Sequence, residues 1–327
     1  MNRISPGALL AFVFLGLIGG LTVFADFFSP GDARAEFRRQ PYHPPTPLYA
    51  EWKGSMPRLY VYATESFFDE NQRRVYREKR ERRFYVQFFD GRLFRAEEPA
   101  RILLMGTDSR GRDLFSRILA GGRVSLAVGL AGALLTVLLG FTAGSIAGYF
   151  GGRTDFVLMR LSEFFMMVPA FYFLLAVRGA LPAGLNSLQI YGLTAASLSL
   201  IGWGGAARVV RGLARSIAQS DFITAARMLG SSHVRILIGH IFPHTFSYLA
   251  VVLSVSIPGY ILMESALSLL GLGVQEPDIS WGNLLSEAVS VPHLSLHPWV
   301  LYPGFVLAAV SFAFNRAGDS LQKLVRA

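Results

Sequence analysis

Long apolar runs alternate along this chain with short polar stretches, and several of the runs are too long for the core of a soluble domain. About 20 apolar residues carry a helix across the hydrocarbon layer of a bilayer. Six segments meet or approach that length, at 7–28, 124–150, 164–181, 190–207, 246–270 and 298–314. They predict an all-α membrane protein with six transmembrane helices. The first run, GALLAFVFLGLIGGLTVFADFF, is longer than the apolar part of a signal peptide, and no clean small-x-small site follows it. It therefore reads as a retained anchor.

The texture changes between the first two spans. Residues 41–47, PYHPPTP, cannot continue a helix and predict an extended linker. Short β-prone pieces follow at 59–62 and 84–89, and Asp90-Gly91 is a turn signal, so a hairpin is expected over 84–94. The run 71–83, crowded with arginine, reads as a charged helix or loop. Together 29–105 form a small mixed insert. It is flanked by a first segment at 1–28 and a five-span domain at 106–327.

Composition agrees with the pattern. The 327 residues are 52% hydrophobic and 16% charged, against roughly 25% charged in soluble domains. There is no cysteine, so disulfides and thiolate metal sites are excluded. The net charge of +9 would raise nucleic acid as a partner for a soluble protein. Here basic loops at an anionic membrane leaflet account for it, and no nucleic acid is expected.

Loop charge orients the spans. The loop between the fourth and fifth, 208–245, carries Arg208, Arg211, Arg215, Arg227 and Arg235 against Asp221, which predicts the cytoplasmic side. Residues 273–297 contain no Lys or Arg but hold Glu276, Asp278 and Glu287, which predicts the outside. Arg153 and Arg160 after span two, and Arg316, Lys323 and Arg326 in the tail, fit the inside. Both termini then lie in the cytoplasm of a multi-pass inner-membrane protein, and the 29–105 insert lies outside. Its arginines do not break the rule, because long segments translocate largely regardless of charge.

Candidate chemistry is sparse. Gly129, Gly132, Gly140, Gly144 and Gly148 recur at helical spacing in span two and predict close helix packing. Glu264 is an ionisable residue near one end of span five, and such residues are functional candidates by default, here for lining a polar path through the membrane. Glu163 is expected to pair with Arg160. His240 and His244 are four apart, but without a carboxylate pair nearby they make no metal site. There is no GxxxxGK[ST] phosphate cradle, no HExxH and no GxSxG elbow, so the chain is expected to have no catalytic site and no cofactor.

The most informative polar stretch is 221–243, DFITAARMLGSSHVRILIGHIFP. Ile223, Ala226 and Gly230 fall near one face of a short helix, where small residues let another surface approach. Pro243 is expected to end the element as the chain re-enters the membrane. The stretch resembles the "EAA" cytoplasmic loop of ABC-importer permeases, carried here by Asp221, Ala225, Ala226, Gly230, His240 and Pro243. Thr224 stands where that family usually has glutamate, and Phe242 where it has leucine.

Four further stretches resemble the dipeptide and oligopeptide permeases of that family, in order. They are Gly106-Thr107-Asp108-Ser109-Arg110-Gly111-Arg112-Asp113; 148–155 with Met159-Arg160; 267–274 with Ser280-Trp281-Gly282-Asn283; and Pro303-Gly304 with Phe314-Asn315 and Gly318-Asp319. Read physically, Asp108 is expected to cap the helix entering span two. Gly271, Gly273, Trp281 and Gly282 are expected to shape a short external re-entrant or interfacial segment, with Trp281 at headgroup level.

The resemblance implies the type I ABC-importer permease fold. It implies a transport subunit rather than an enzyme, a homologous permease partner, two cytoplasmic ABC ATPase subunits that dock on 221–243, and an external solute-binding protein. The implied cargo is di- or oligopeptides, with a nickel complex as the alternative. A secondary transporter working without an ATPase, or an intramembrane hydrolase, would be the rival classes.

Overall fold

The computed structural model describes residues 6–53, 56–182 and 184–326. The chain forms two compact units. A helical unit is drawn from Met1–Leu15, Leu126–Leu267 and Ala309–Ala327, and a sheet unit from Gly16–Ser125 and Ser268–Ala308.

The helical unit is built from α3 (Leu114–Phe150), α4 (Gly152–Met167), α5 (Ala170–Ala180), α6 (Ser187–Ala218), α7 (Asp221–Met228), α8 (His233–Ile236), α9 (Phe242–Leu269) and α12 (Tyr302–Arg326), with α3, α9 and α12 each running beyond it at one end. Among the described residues, α1 (Pro6–Val23), α3, α6, the continuous run His233–Leu269 and Pro298–Lys323 are each long and apolar enough to cross a membrane. The third expected span differs. It is a bent pair, α4 and α5, that turns by 88° between Met167 and Ala170, giving six spans if the pair counts as one. Pro169 sits at the break and cannot donate into a continuing helix. The expected segment at 164–181 missed most of α4 because the first twelve of its sixteen residues, GRTDFVLMRLSE, are amphipathic rather than uniformly apolar.

Glycines on α3 seat it against its neighbours, as their spacing predicts. A methyl added at Gly129 would meet Ile261 of α9 at 2.5 Å, and one at Gly140 would meet Ala206 of α6 at 2.6 Å. Gly144 lies equally close to the Ala207 carbonyl, and Gly148 faces the backbone of Arg211. Without side chains here, the helix backbones approach to a distance that lets dispersion and short polar contacts act in a medium with no hydrophobic drive between helices. The opposite side of α3 carries exposed Leu130, Leu134, Leu138 and Leu139, which suit lipid.

The sheet unit contains four antiparallel strands in the order β1 (Tyr49–Lys53), β2 (Met56–Phe68), β3 (Arg74–Phe88) and β4 (Phe94–Ala96). The hairpin expected over 84–94 is present, with Val86 opposite Ala96 and Phe88 opposite Phe94. The run 71–83 is a correction. From Arg74 onward it is strand, paired with β2 from Phe68↔Arg74 to Ala63↔Lys79. Cross-strand partners explain this. The Arg74 and Arg77 guanidinium groups stack over Phe68 and Phe67 at 5.1 and 5.0 Å, and Lys79 pairs with Glu65 at 3.0 Å. Sequence distance hid those partners. Val61, Phe84, Ala100 and Ile102 make the core beneath the sheet.

The proline-rich linker is extended but not free. His43 donates its backbone N–H to Thr107 Oγ1 at 2.7 Å, Thr107 N–H returns to the His43 carbonyl at 2.9 Å, and Thr46 N–H reaches the Leu103 carbonyl. It is stitched along its length to the chain segment leading into α3.

Candidate functional site

Two constellations emerge, one in each unit. In the helical unit, Ser220 precedes α7, and Asp221 places a carboxylate in the first turn, where the helix dipole favours it. Ile223 is fully buried in a cluster with Ala214, Ile236 and Ile241, which anchors α7 to α6 and to the start of the fifth span. Phe222 reaches back and stacks on His244, with ring centroids 5.8 Å apart, and lies 6.1 Å from His240. Arg227 covers the Tyr149 ring at 4.7 Å, and the Tyr149 hydroxyl meets His233 Nδ1 at 2.9 Å.

The helix ends at Gly230. Ser231 N–H bonds the Ala226 carbonyl at 3.0 Å and Gly230 N–H bonds the Arg227 carbonyl at 2.9 Å, a Schellman pair. That geometry needs the left-handed φ of +81° found at Gly230, which a residue with a Cβ adopts only with strain. Elsewhere in the helical unit an ion pair joins two helices, where Arg211 of α6 holds Asp155 of α4 through Nη2 at 2.5 Å. The expected pair of Arg160 with Glu163 forms at 2.8 Å.

Of the residues singled out, Asp221 and Ala225 are exposed on α7, Ala226 is half-buried beside them, and Gly230 lies open with nothing near it. His240 is half-buried one turn before His244, which donates its Nδ1–H to the His240 carbonyl at 2.7 Å. Pro243 is exposed and is a correction: it does not end the element. The helix passes through it, because a wider π-turn at Leu237–Ile241 directly precedes Pro243 and relieves the clash a proline makes with an ordinary α-turn. Sequence reasoning also missed the exposed apolar residues of this loop. Met228 is 84% and Leu229 87% exposed, and Phe222 is partly open. Their signal was available in the adjacent pair Met228-Leu229, set between charged Arg227 and the polar run that follows Gly230.

The sheet unit carries the second constellation, a buried charge lattice. Asp108 accepts the backbone N–H groups of Arg110 and Arg112, each at 2.9 Å, and Arg112 Nε at 2.6 Å. Arg117 reaches Glu276 at 2.6 Å and Arg112 reaches it at 2.9 Å. Ser109 donates its backbone N–H and hydroxyl to Glu287. The lattice is a loop clamp: each buried charge has an opposite partner, which offsets its desolvation. Burial nevertheless raises the Glu287 carboxyl above the ordinary range.

Asp108 is therefore not the helix cap. Asp113 caps α3, taking the N–H of Phe115 and Ser116 and the Ser116 hydroxyl. Burial pushes the Asp113 carboxyl up to about 6. The left-handed Gly111 lies against the Phe37 carbonyl, and Gly106 against His43 and Trp299. Trp281 is the other correction. It is wholly buried rather than set at a headgroup surface. Its indole donates to the Ile118 carbonyl at 2.9 Å and its backbone N–H to Ser125 Oγ at 3.1 Å, so it plugs the segment onto α3. Gly282 is buried beside it, and Gly273 packs on Ser268, while Gly271 is exposed at the turn. Glu264 is 1% exposed within α9, with Ser265 donating at 3.4 Å. Among the described residues no cluster of metal-ligating side chains occurs.

Multiple apolar spans, a glycine-seamed helical unit and a loop helix with exposed apolar side chains define an integral membrane protein. The chain belongs to the family of binding-protein-dependent transport system inner membrane components, whose pattern matches residues 140–327. It is 41% identical over 218 residues to the oligopeptide transport system permease protein OppC of Haemophilus influenzae, covering 66% of this chain and 68% of that protein. It is 35% identical over 225 residues to OppC of Bacillus subtilis, covering 68% and 71%. It is 42% identical over 218 residues to OppC of Escherichia coli K12, covering 66% and 70%. A solved chain of the MetNI methionine ABC transporter, inward facing, aligns with a TM-score of 0.44 and 16% identity over 64% of this chain and 94% of that one. Membership in a binding-protein-dependent family sets the secondary-transporter and hydrolase rivals aside.

Proposed function

We propose that the chain is the permease subunit of an ATP-driven importer that moves di- or oligopeptides across the cytoplasmic membrane. The peptide cargo is favoured over a nickel complex by the relatives above, which are oligopeptide permeases. The subunit pairs with a homologous permease, receives solute from an external binding protein, and docks a cytoplasmic ATPase subunit, one of two in the assembly, on 221–243. Both termini and this loop face the cytoplasm. The observation that carries the docking reading is α7 itself. Ile223 ties it to the spans, while Phe222, Met228 and Leu229 stay in the open on a polar loop. An apolar patch in that setting marks a protein contact.

ATP-driven closure of the ATPase pair would move α7, and the cluster of Ile223 with Ile236 and Ile241 would pass that movement into the fifth span, reopening the path in an alternating-access cycle. Glu264 remains the candidate ionisable group of the path. The test is a tagged pull-down from native membranes with wild type and with Met228→Glu plus Leu229→Glu. An ATPase that copurifies with wild type and is lost in the double variant at normal membrane levels supports the reading. Equal recovery from both rejects α7 as the dock, and absence from both, with a known importer as control, rejects an ATPase partner.

A further inference from the structure

The sheet unit holds a cavity of about 490 Å³ that the transport reading does not use. Small-molecule sites typically enclose roughly 300–1,000 Å³ behind apolar walls with a few placed polar groups. Buried Ala100, Ile102 and Leu103 supply the wall here, and Arg101 lines it.

Arg101 is unlike the buried arginines of the charge lattice. Arg112 and Arg117 each pair with Asp108 and Glu276. Arg101 makes no ion pair with a described residue; Glu98 and Asp113 act on it only at longer range. Its Nη1 is buried without a hydrogen-bond partner. The guanidinium lies against the face of the Phe37 ring. Desolvation lowers it to about 10. A half-buried cation that makes no ion pair is costly to keep, and a carboxylate is the group whose two oxygens match its fork.

We propose that this cavity binds a small organic monocarboxylate, with its carboxylate on Arg101 and its apolar body against Ala100, Ile102 and Leu103. Asp32, Glu97, Glu98 and Asp113 share the lining with Arg92, Arg95 and Arg101, so the cavity holds no excess of cations for a second carboxylate. The ligand's carboxylate has two natural sources, the C-terminus of a short peptide or a free short-chain acid. The site is independent of transport, and the chain alone suffices to test it.

The full chain in lipid nanodiscs is titrated calorimetrically with trialanine, trialanine amide, butyrate and butyramide. The expected result is binding of at least one acid with a Kd of about 1 mM or tighter. Loss of the carboxylate, in the matching amide, and loss of the cation, in Arg101→Gln, should each weaken binding about tenfold or more. Ala35→Phe, which fills the cavity from another wall residue, should abolish it. Trialanine and butyrate distinguish the two sources. Failure of both acids to bind wild type overturns the proposal, as does an amide that binds equally well or an Arg101→Gln chain with unchanged affinity. If Arg101→Gln does not fold, the acid-to-amide ratio on wild type decides.

Discussion

The Tyr260 hydroxyl of α9 meets the Thr136 hydroxyl of α3 at 2.7 Å, and Gly202 of α6 leaves the space into which the Tyr260 ring reaches. Three helices thus meet at one hydrogen bond, and each contact depends on a small neighbour. Such interhelical bonds contribute modestly, about 0.6 kcal/mol on average, so the glycines matter more than the bond. Gly144→Leu would force side-chain atoms into the Ala207 backbone, whereas a Cβ added at Gly205 meets nothing within 4 Å. Gly144→Leu should destabilise by about 1–3 kcal/mol or prevent folding, and Gly205→Leu should behave as wild type. Thermal unfolding of the two solubilised variants checks this, and equal behaviour would refute the seam.

Gly230 sets the end of α7 through its left-handed backbone. Gly230→Val should cost about 1–2 kcal/mol locally by that strain, while Gly230→Asn, which tolerates the conformation, should cost less. Hydrogen exchange of Ala225–Ser231 amides reports the difference. No change in either variant would show that the cap does not matter.

Asp113 gives a pH dependence with a definite sign. Its carboxyl rises from an ordinary 3.8 to about 6 in the folded state, through burial first and foremost. A carboxyl held protonated more tightly when folded favours the folded state in acid. Its contribution is fully present below 3.8 and is lost as pH rises through about 6. Glu287 shifts in the same direction. Unfolding temperature should therefore fall as pH rises across that window. Asp113→Asn, which still caps a helix, should flatten the fall, and Asp113→Ala should cost about 1 kcal/mol in addition. A slope that Asp113→Asn leaves untouched assigns the dependence elsewhere.

Glu264→Gln keeps the shape of a buried side chain and removes its charge. Reduced peptide uptake in vesicles at normal assembly with partner subunits is the expected outcome. Wild-type uptake would remove Glu264 from the path.

Much of this architecture was legible in the chain because its governing signals are local. Five apolar runs and the α3 glycines need only their own neighbours in sequence to be read. What escaped was decided by distant partners. The strand from Arg74 looks like a charged helix until Phe67 and Phe68 are placed beneath its arginines. Asp108 and Asp113 are equally good caps on paper, and only the path of the backbone assigns Asp108 to Arg112 and Asp113 to Ser116. Trp281 carries the composition of an interfacial anchor, yet the Ile118 carbonyl and Ser125 draw it inward. Pro243 reads as a stop until the π-turn before it is seen.

The helix proposed to dock the ATPase, α7, is eight residues long and is closed by Gly230 after two turns. Its free apolar surface amounts to a few flexible side chains. So small and greasy a plug holds little information, and many shallow grooves would accept it. On the docking reading, faithful pairing with one ATPase rather than another falls to the charged residues around the plug, such as Arg215, Arg227 and Arg235, where a mismatch repels.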